Sequence, residues 1–261
     1  MESDQATEVR VGTSGFSFAD WRGVFYPQQI EKGKMLDYYV KYFPTVEINS
    51  TYYRTPHPAV MYNLVKKAPP GFDFMVKAPQ ILTHVRAEIS REMTSFRESL
   101  RPIADGHILA GVLAQFPYSF RCSQKGMDYL SICREESHPH PLFVEFRHQS
   151  WDRDEVRDLL RAQSIGYVSV DEPPIPGLLK PDLSATTEIA YVRLHGRNAV
   201  DWWSRGGERY NYSYSTQELD EWRLKIEKIK AQVKRVYVYF NNCYDGQAVL
   251  NALDFMKKLG A

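Results

Sequence analysis

This 261-residue sequence has few cysteines and no long apolar segment. Its three cysteines, Cys122, Cys133 and Cys243, are odd in number and form no C-x-x-C motif, which favours reduced thiols over a disulfide framework. No apolar run approaches the roughly 18 residues of a membrane span. The first residues, 1–4, lack the basic start and apolar stretch of a signal peptide. We therefore expect a cytoplasmic protein without a membrane partner.

The sequence also lacks an excess of either charge. Its 33 basic and 32 acidic residues give a formal net charge of +1 with neutral histidines. A nearly neutral chain has no overall field that would hold nucleic acid or an anionic membrane, although a local basic site is compatible with it. Nucleic acid is therefore a disfavoured partner, and the oligomeric state is left open.

Two common catalytic motifs are absent. No H-E-x-x-H zinc motif occurs, and His138-Pro139-His140 precedes a strand, on the wrong side for a site at strand ends. The stretch Gly12-Thr13-Ser14-Gly15 does not match G-x-S-x-G, because its second glycine comes one residue too early. This disfavours a nucleophilic serine and favours a turn with a backbone anion nest. We expect no metal site, and the sequence assigns no cofactor.

Eight short runs of β-type residues recur along the chain. The predicted strands are Val9–Gly15, Val46–Thr51, Asp73–Pro79, Ile108–Pro117, Leu142–Arg147, Tyr167–Asp171, Ile189–Gly196 and Arg235–Asn242. Because most of them alternate with helical patterns, we predict an α/β fold with a parallel sheet closed into a TIM-type (β/α)8 barrel. The length suits one such domain, so we expect a single barrel over residues 9–261 after a disordered tail over 1–8.

The helical patterns fill every gap in the alternation except the sixth. The predicted helices are Lys34–Phe43, Ala59–Lys67, Thr94–Ala104, Gln124–Arg134, Asp152–Gln163, Ser215–Val233 and Gly246–Leu259. Asp152-x-x-Glu155 and Ser215-x-x-Glu218 both match a capping box at a helix start. Four prolines between Asp171 and Ile189 forbid a normal helix there, so the barrel should be irregular, with its sixth crossover helix missing or replaced by a loop.

Charged and amide residues interrupt the apolar pattern at the carboxyl ends of these strands. They are Glu47, Asn49, Lys77, Glu145, Arg147, Asp171, Arg193, His195, Asn241 and Asn242. A buried charge must be paired, hydrogen-bonded or functional, and its recurrence at many strand ends predicts one shared polar site. The alternative is a structural network in which Lys77, Arg147 and Arg193 neutralise the carboxylates. Asn241 and Asn242 have their own alternative, an Asx turn before the last helix.

Two predicted loops on the same face combine arginines with aromatic residues. Tyr53 and Arg54 follow the second strand, and a long loop after the seventh carries Arg197, Trp202 and Tyr210. Loops after strands seven and eight of such barrels often bind phosphate, and arginine suits phosphate or carboxylate. We expect these loops to contact a ligand, although Trp202 and its neighbour could instead pack as a lid on the barrel.

Six motifs in order resemble the domain of unknown function 72 family, also called YecE-like. They are Trp21–Pro27, Val46–Tyr53, Val76–Pro79 with Thr83-His84, Val144–His148 with Ser150-Trp151, Val192–Arg197, and Phe240–Asn242 with Asn251-Ala252. The resemblance covers about residues 11–253 and implies an irregular TIM-type barrel, without implying a defined activity. Cys243 stands where a histidine or aspartate is expected, and Phe116 where leucine is usual. The first departure falls at the rim of the predicted site.

These observations predict an enzyme that acts on a phosphorylated or other anionic small molecule, such as a sugar phosphate or a nucleotide. A metal-independent lyase or isomerase would fit, as would a phosphoester hydrolase. The predicted catalytic residues are Glu47, Glu145, His195, Lys77 and Asp171, with the glutamates as acid and base and the histidine as proton relay. The predicted substrate-binding residues are Asn49, Tyr53, Arg54, Arg147, Arg193, Arg197, Trp202, Tyr210, Asn241 and Asn242.

Two alternatives are compatible with the same residues. The rim of arginines and aromatics would also suit a nucleic-acid processing or binding protein that resembles DNA-repair barrels. A non-catalytic module that binds a small metabolite would use the same pocket without turnover. The fold cannot decide among the three, because barrels support unrelated chemistries.

Overall fold

Eight parallel strands surround the centre of the molecule. The computed structural model describes residues 6–204 and 206–260. The strands are β1 (Glu8–Thr13), β2 (Thr45–Ile48), β3 (Asp73–Lys77), β4 (Leu109–Gln115), β5 (Leu142–Glu145), β6 (Ile165–Asp171), β7 (Ile189–Leu194) and β8 (Arg235–Phe240). They pair in the order β1-β8-β7-β6-β5-β4-β3-β2. A parallel bridge between Ser14 and Glu47 joins the two end strands, so the predicted TIM-type barrel is confirmed.

Helices follow most of the strands and cover the outside of the barrel. They are α1 (Met35–Tyr39), α2 (Pro58–Val65), α3 (Ile89–Asp105), α4 (Gln124–Ser137), α5 (Asp154–Ala162), α6 (Thr216–Ile229) and α7 (Gln247–Leu259). Short helical turns lie in the loops at Ala19–Trp21, Lys32–Lys34, Ser50–Tyr52, Ile81–Val85, Gln149–Trp151, Gly207–Tyr210, Lys230–Gln232 and Tyr244–Gly246. Three of these turns, after β2, β3 and β7, bring side chains to the carboxyl-end face.

The predicted loss of the sixth crossover helix is confirmed. The chain runs from β6 to β7 without a helix over residues 172–188, all of which the structure describes. Side-chain bonds hold this segment instead, since the Thr186 hydroxyl accepts from the Tyr167 amide at 2.8 Å and donates to the Ile165 carbonyl at 2.6 Å. Leu178 and Leu179, which belong to this segment, are buried. The loop thus covers the barrel wall where a helix would otherwise pack.

Other predictions needed correction at their boundaries. The predicted tail extends too far, because the Thr7 hydroxyl bonds the Lys230 and Val233 carbonyls and Glu8 pairs with Arg235; residues 1–5 lie outside the described residues. The capping box at Ser215 is confirmed. The one at Asp152 is wrong, because the following residue is the N-cap of α5 and the Asp152 carboxylate accepts from Arg157 at 2.5 Å instead.

Aromatic side chains fill the interior of the barrel below its carboxyl-end face. Tyr191 packs edge-on against Tyr239 and against Phe143, with ring centroids 5.3 Å apart in both pairs. The Phe143 ring fits only because Gly111 and Gly166 face it, since a Cβ on Gly166 would lie 2.2 Å from a ring carbon. This packed layer fills the interior of the barrel beneath the carboxyl-end face.

Candidate functional site

A cavity of ≈ 880 Å³ opens at the carboxyl ends of the strands. Its polar lining comes from the strand ends and the turns after them: Ser14, Glu47, Asn49, Lys77, His84, Gln115, Arg147, Glu172, Arg193 and Asn241. Aromatic side chains form its upper wall: Phe16, Phe18, Tyr52, Tyr53, Tyr118, Trp202, Trp203 and Tyr210. Polar groups below and aromatic faces above are typical of a small-molecule site.

Arg193 is the centre of the cavity floor and is 1% exposed. Its guanidinium donates to both oxygens of Glu47, from Nε at 2.9 Å and from Nη2 at 2.7 Å, and to Glu145 Oε2 from Nη1 at 2.5 Å. The Tyr191 hydroxyl adds a further bond to Glu47. The two glutamates hold the pKa of Arg193 well above its ordinary value despite burial. The floor is therefore a fixed, charge-balanced network.

Glu145 lies between two arginines and a histidine. Burial alone would raise its pKa, but Arg147 and Arg193 outweigh burial and hold the pKa of Glu145 well below its ordinary value. The Arg147 Nε atom is 2.6 Å from Oε1, as a charge contact rather than an aligned hydrogen bond. This carboxylate stays ionised at neutral pH and is a poor proton carrier.

His195 is fully buried behind the floor and does not line the cavity. Burial, and then the charge of Arg147, lowers its pKa to about 3, so the ring is neutral at neutral pH. Its Nε2 atom lies 3.2 Å from Glu145 Oε1, and its Nδ1 atom lies 2.8 Å from the Asn241 amide nitrogen. These contacts fit a tautomer in which Nε2 carries the proton and Nδ1 accepts from Asn241. In this state the ring is suited to orienting Glu145 and Asn241, and its predicted role as a proton relay stays a prediction.

Glu172 is a cavity residue that the sequence reasoning missed. Arg147 Nη1 donates to its Oε2 at 2.7 Å, whereas its buried Oε1 has no hydrogen-bond partner among the described residues. Burial raises the pKa of Glu172 to about 7 against the opposing effect of Arg147. The alternation along β6 could have revealed it, because only one of the adjacent Asp171 and Glu172 can face inward. A half-protonated carboxyl in a cavity can donate or accept a proton.

Lys77 faces the cavity from the end of β3. Its ammonium nitrogen lies 2.7 Å from the Gln115 side-chain oxygen and 4.6 Å from the centroid of the Tyr52 ring. Burial, and then the positive charge of Arg193, lowers the pKa of Lys77 to about 7. His84 lines the same wall, and burial followed by the Lys77 charge lowers its pKa to about 4. This side of the cavity thus holds an amine that is partly uncharged at neutral pH.

The loop after β7 covers the floor with aromatic rings. Trp202 is 4% exposed and lies over Arg147, whose guanidinium carbon is 5.8 Å from the ring centroid. Trp203 is 56% exposed and packs edge-on against Tyr118 at 4.9 Å. Trp202 therefore packs on the barrel, as expected if this loop acts as a lid. Both tryptophans also line the cavity, together with Tyr210.

Two predicted site residues, Asp171 and Arg197, lie on the outer face of the barrel wall. Arg197 donates to both Asp171 oxygens, from Nε at 2.8 Å and from Nη2 at 2.7 Å, and to Glu218 of α6 at 3.0 Å. The indole nitrogen of Trp222 also donates to Asp171. Strand alternation sends Asp171 outward because Glu172 faces inward. Their placement in the shared polar site is thus corrected.

Two further predicted residues also miss the cavity. Asn242 is fully buried, and its amide nitrogen donates to the Tyr212 carbonyl at 2.8 Å and to the Asn251 side chain at 2.9 Å. These contacts are structural, but they join distant segments and are not the Asx turn before the last helix that the alternative predicted. Arg54 is exposed outside the cavity lining. The structure instead brings Glu47, Lys77, Asn49, Tyr53, Arg147, Arg193, Trp202, Tyr210 and Asn241 together at the lining, with Glu145 and His195 directly beneath.

The first strand ends at the cavity in a turn rather than in a nucleophile. The Ser14 hydroxyl lies 3.4 Å from Arg193 Nη2, and Gly15 adopts a φ of 102°, where a side chain would be strained. Cys243, the residue that departs from the family pattern, lines the cavity, and its thiol lies 3.5 Å from the Ser14 carbonyl. Burial raises the pKa of this thiol, so it is not an activated nucleophile.

Two features are absent from the described residues. No group of three or more His, Cys, Asp and Glu side chains in residues 6–204 and 206–260 is arranged to hold a metal ion. In the same ranges, no helix has both the length and the apolar character needed to cross a membrane.

Comparisons with known proteins agree on one family. The family model described as protein of unknown function DUF72 matches residues 10–261. The UPF0759 protein YunF of Bacillus subtilis (strain 168) is 33% identical over 269 residues, which covers 96% of this chain and 94% of that protein. A DUF72 family protein from Thermotoga maritima MSB8 superimposes with a TM-score of 0.91 at 43% identity, covering 97% of this chain and 100% of that chain. One from Enterococcus faecalis V583 gives 0.88 at 28% identity, with coverages of 97% and 96%.

Proposed function

This chain belongs to the DUF72 family, as its sequence motifs predicted, and we propose that it is an enzyme acting on an anionic small molecule by acid–base chemistry. The substrate class we propose is a phosphorylated sugar or a nucleotide. The reaction would take place in the cavity at the carboxyl-end face of the barrel, with the aromatic loop after β7 as its cover.

The charge of the cavity lining carries this proposal. Five basic side chains line the cavity against two carboxylates: Lys32, Lys77, Arg147, Arg193 and Arg209 against Glu47 and Glu172. Glu47 is already bonded through both oxygens to Arg193. Near pH 7 both Glu172 and Lys77 are about half charged. With Glu145 beneath the floor included, Lys32, Arg147, Arg193 and Arg209 still leave an excess of positive charge that favours an anion.

Arg147 is the residue we propose as the anion anchor. Its Nε and Nη1 atoms face Glu145 and Glu172, and none of the described residues is bonded to its Nη2. Since the two carboxylates and Trp202 fix the guanidinium, its remaining N–H groups are held ready for a phosphate or carboxylate oxygen. The volume of ≈ 880 Å³ is large enough for a sugar phosphate or a mononucleotide.

Lys77 and Glu172 are the proton carriers we propose, in place of the glutamates of the floor. Both have a pKa of about 7, where a group can give up and take up protons with little cost. Glu47 and Glu145 would instead hold Arg193 and Arg147 in place, with His195 positioning Glu145 and Asn241. Asn49 would orient the substrate, because its buried side-chain oxygen has no partner among the described residues.

Calorimetric titration with inorganic phosphate, ribose 5-phosphate and AMP tests the anion site. The Arg147→Lys variant should bind each anion on the order of tenfold more weakly, because lysine cannot supply the planar fork. Arg197→Lys is the matched control, since that arginine is equally well paired but lies outside the cavity. Equal affinities of wild type and Arg147→Lys for all three anions would contradict the proposal.

Proton transfer can be tested before the full reaction is known. Sugar phosphates incubated with the protein in heavy water should incorporate deuterium beside a carbonyl group, as followed by proton NMR. Glu172→Gln and Lys77→Met should slow incorporation by about 10²- to 10⁴-fold. Anions that bind without exchange or other turnover would favour the non-catalytic binding module instead.

A further inference from the structure

Lys77 differs from the two arginines of the cavity floor in what surrounds its charge. Arg193 contacts the carboxylates of Glu47 and Glu145, and Arg147 contacts those of Glu145 and Glu172. Among the described residues, no carboxylate lies within ion-pair distance of the Lys77 nitrogen, which contacts a neutral amide and an aromatic face instead. A lysine that served only as a counter-ion would gain from a carboxylate, so this environment favours the free amine.

We propose that the Lys77 amine is a nucleophile that forms an imine with the carbonyl carbon of an anionic aldehyde or ketone substrate. This inference rests on the proposed function and narrows the anionic small molecule to one with a carbonyl group. It gives Lys77 a covalent role in place of proton transfer, which is left to Glu172. It assigns the anion to Arg147, which follows β5, and the carbonyl to Lys77, which ends β3. Both side chains face the same cavity.

Lys77 and Glu172 supply the nucleophile and the protons that imine formation requires. The lone pair of Nζ attacks the carbonyl carbon, a C–N bond forms, and the π electrons move to oxygen, which takes the proton lost by nitrogen. A proton from Glu172 then allows the hydroxyl to leave as water while nitrogen forms the C=N bond, giving a protonated imine. The imine withdraws electrons from the adjacent carbon, and the Glu172 carboxylate can remove a proton there. No oxidant or reductant is needed.

The protonation state of Lys77 is compatible with this role. Its pKa is lowered to about 7 by burial and then by the charge of Arg193, so a large fraction of the amine is free at neutral pH. Desolvation and a neighbouring cation are the two means by which proteins activate such a lysine. Gln115 contributes by accepting a hydrogen bond without adding the negative charge that would keep the amine protonated.

Borohydride trapping tests the inference directly. Wild type is incubated at pH 7 with dihydroxyacetone phosphate, ribose 5-phosphate or pyruvate, reduced with sodium borohydride, digested and analysed by mass spectrometry. We expect Lys77 to gain the mass of one probe molecule less one oxygen atom. Lys32, which lines the outer part of the same cavity, should remain at least tenfold less modified. The Lys77→Arg variant should give no adduct at this position while still binding phosphate.

A second variant changes only the partner of the amine. Gln115→Glu places a carboxylate where the amide oxygen lies 2.7 Å from Lys77, which should raise the pKa of the lysine. Trapping at pH 7 with saturating probe should fall about tenfold and recover toward pH 9. A lysine with a purely structural role would show no such pH shift.

The outcomes separate this inference from the proposed function. Phosphate binding in calorimetry together with no adduct from any probe, or with equal labelling of Lys32 and Lys77, overturns the imine and leaves the anion site in place. If the wild-type protein does not bind phosphate, both the proposed anion site and the imine are overturned. An adduct at Lys77 whose yield in Gln115→Glu follows the expected pH shift supports both.

Discussion

Asp171 and Glu172 are adjacent in the chain, yet their carboxylates lie on opposite faces of the barrel wall in contrasting surroundings. The outer one, Asp171, accepts hydrogen bonds through both oxygens, from Arg197 and Trp222. The inner one, Glu172, is bonded through one oxygen to Arg147, and its other oxygen is buried without a partner among the described residues. Both side chains are almost fully buried.

The difference shows that burial of a charge does not by itself indicate function. A fully bonded carboxylate contributes to stability, whereas an incompletely bonded one costs stability and is retained where a ligand or a proton completes it. The same contrast separates the fixed arginines of the cavity floor from Lys77. Four predictions test this distinction, in order of decreasing expected effect.

Arg193→Met should have the largest effect, because it leaves the fully buried Glu47 and Glu145 without their shared cation. We expect a loss of about 3–5 kcal/mol in the free energy of unfolding, measured with urea at pH 7. Arg161→Met, which breaks an exposed ion pair with Asp158, is the control and should change it by less than about 0.5 kcal/mol. Similar losses in the two variants would mean that the floor network is not structural.

Asp171→Asn should destabilise the protein by about 1–3 kcal/mol, since the amide cannot satisfy both Arg197 and Trp222. Phosphate affinity should be unchanged, because this residue lies outside the cavity. The same unfolding and calorimetric measurements check both statements. A weakened phosphate affinity with unchanged stability would contradict the structural role of Asp171 and assign it to the binding site instead.

Glu172→Gln should change stability in the opposite direction and stabilise the protein by about 1–2 kcal/mol at pH 8. Folding raises the pKa of Glu172 from 4.5 to about 7. The contribution of its protonated form to the free energy of unfolding is therefore fully present below pH 4.5 and is lost as the pH rises through 7. Unfolding curves from pH 4.5 to pH 8 should therefore diverge between wild type and variant. If the free energies of unfolding of wild type and variant changed in parallel with pH, burial of Glu172 would cost no more stability than burial of Asp171.

Ser215→Ala should have the smallest effect, a loss of about 1 kcal/mol from the cap of α6. Because Glu218 bonds both Ser215 and Arg197, this loss should be non-additive with Asp171→Asn in a double-mutant cycle. Ser123→Ala removes the cap of α4 and should be additive with Asp171→Asn. Additivity in both cycles would mean that Glu218 does not couple Ser215 to the Asp171–Arg197 ion pair.

Much of the fold was predictable because it depends on local pattern. Alternating strands and helices predicted the barrel, and the four prolines after Asp171 predicted the missing helix, since each proline removes a backbone hydrogen bond and crowds the preceding turn. A single proline is accommodated inside α3, at Pro102, whereas four in one short segment prevent a regular helix. Boundaries were less secure: α3 begins at Ile89 rather than at the predicted Thr94, and the cap of α5 lies one residue beyond Asp152. Such details depend on which side chain captures which backbone group.

The candidate site was predictable as a set of strand ends but not as a set of roles. Polar residues at carboxyl ends must cluster in any parallel barrel, so Glu47, Lys77, Arg147 and Arg193 were identified by position alone. Whether each charge is paired depends on distances between strands that are far apart in sequence. The sequence therefore determined the family, the barrel and the location of the site. Only the tertiary structure decided that Asp171 faces outward and that, within the described part of the chain, one Glu172 oxygen has no partner and no carboxylate lies within ion-pair distance of Lys77, because these properties arise from three-dimensional packing.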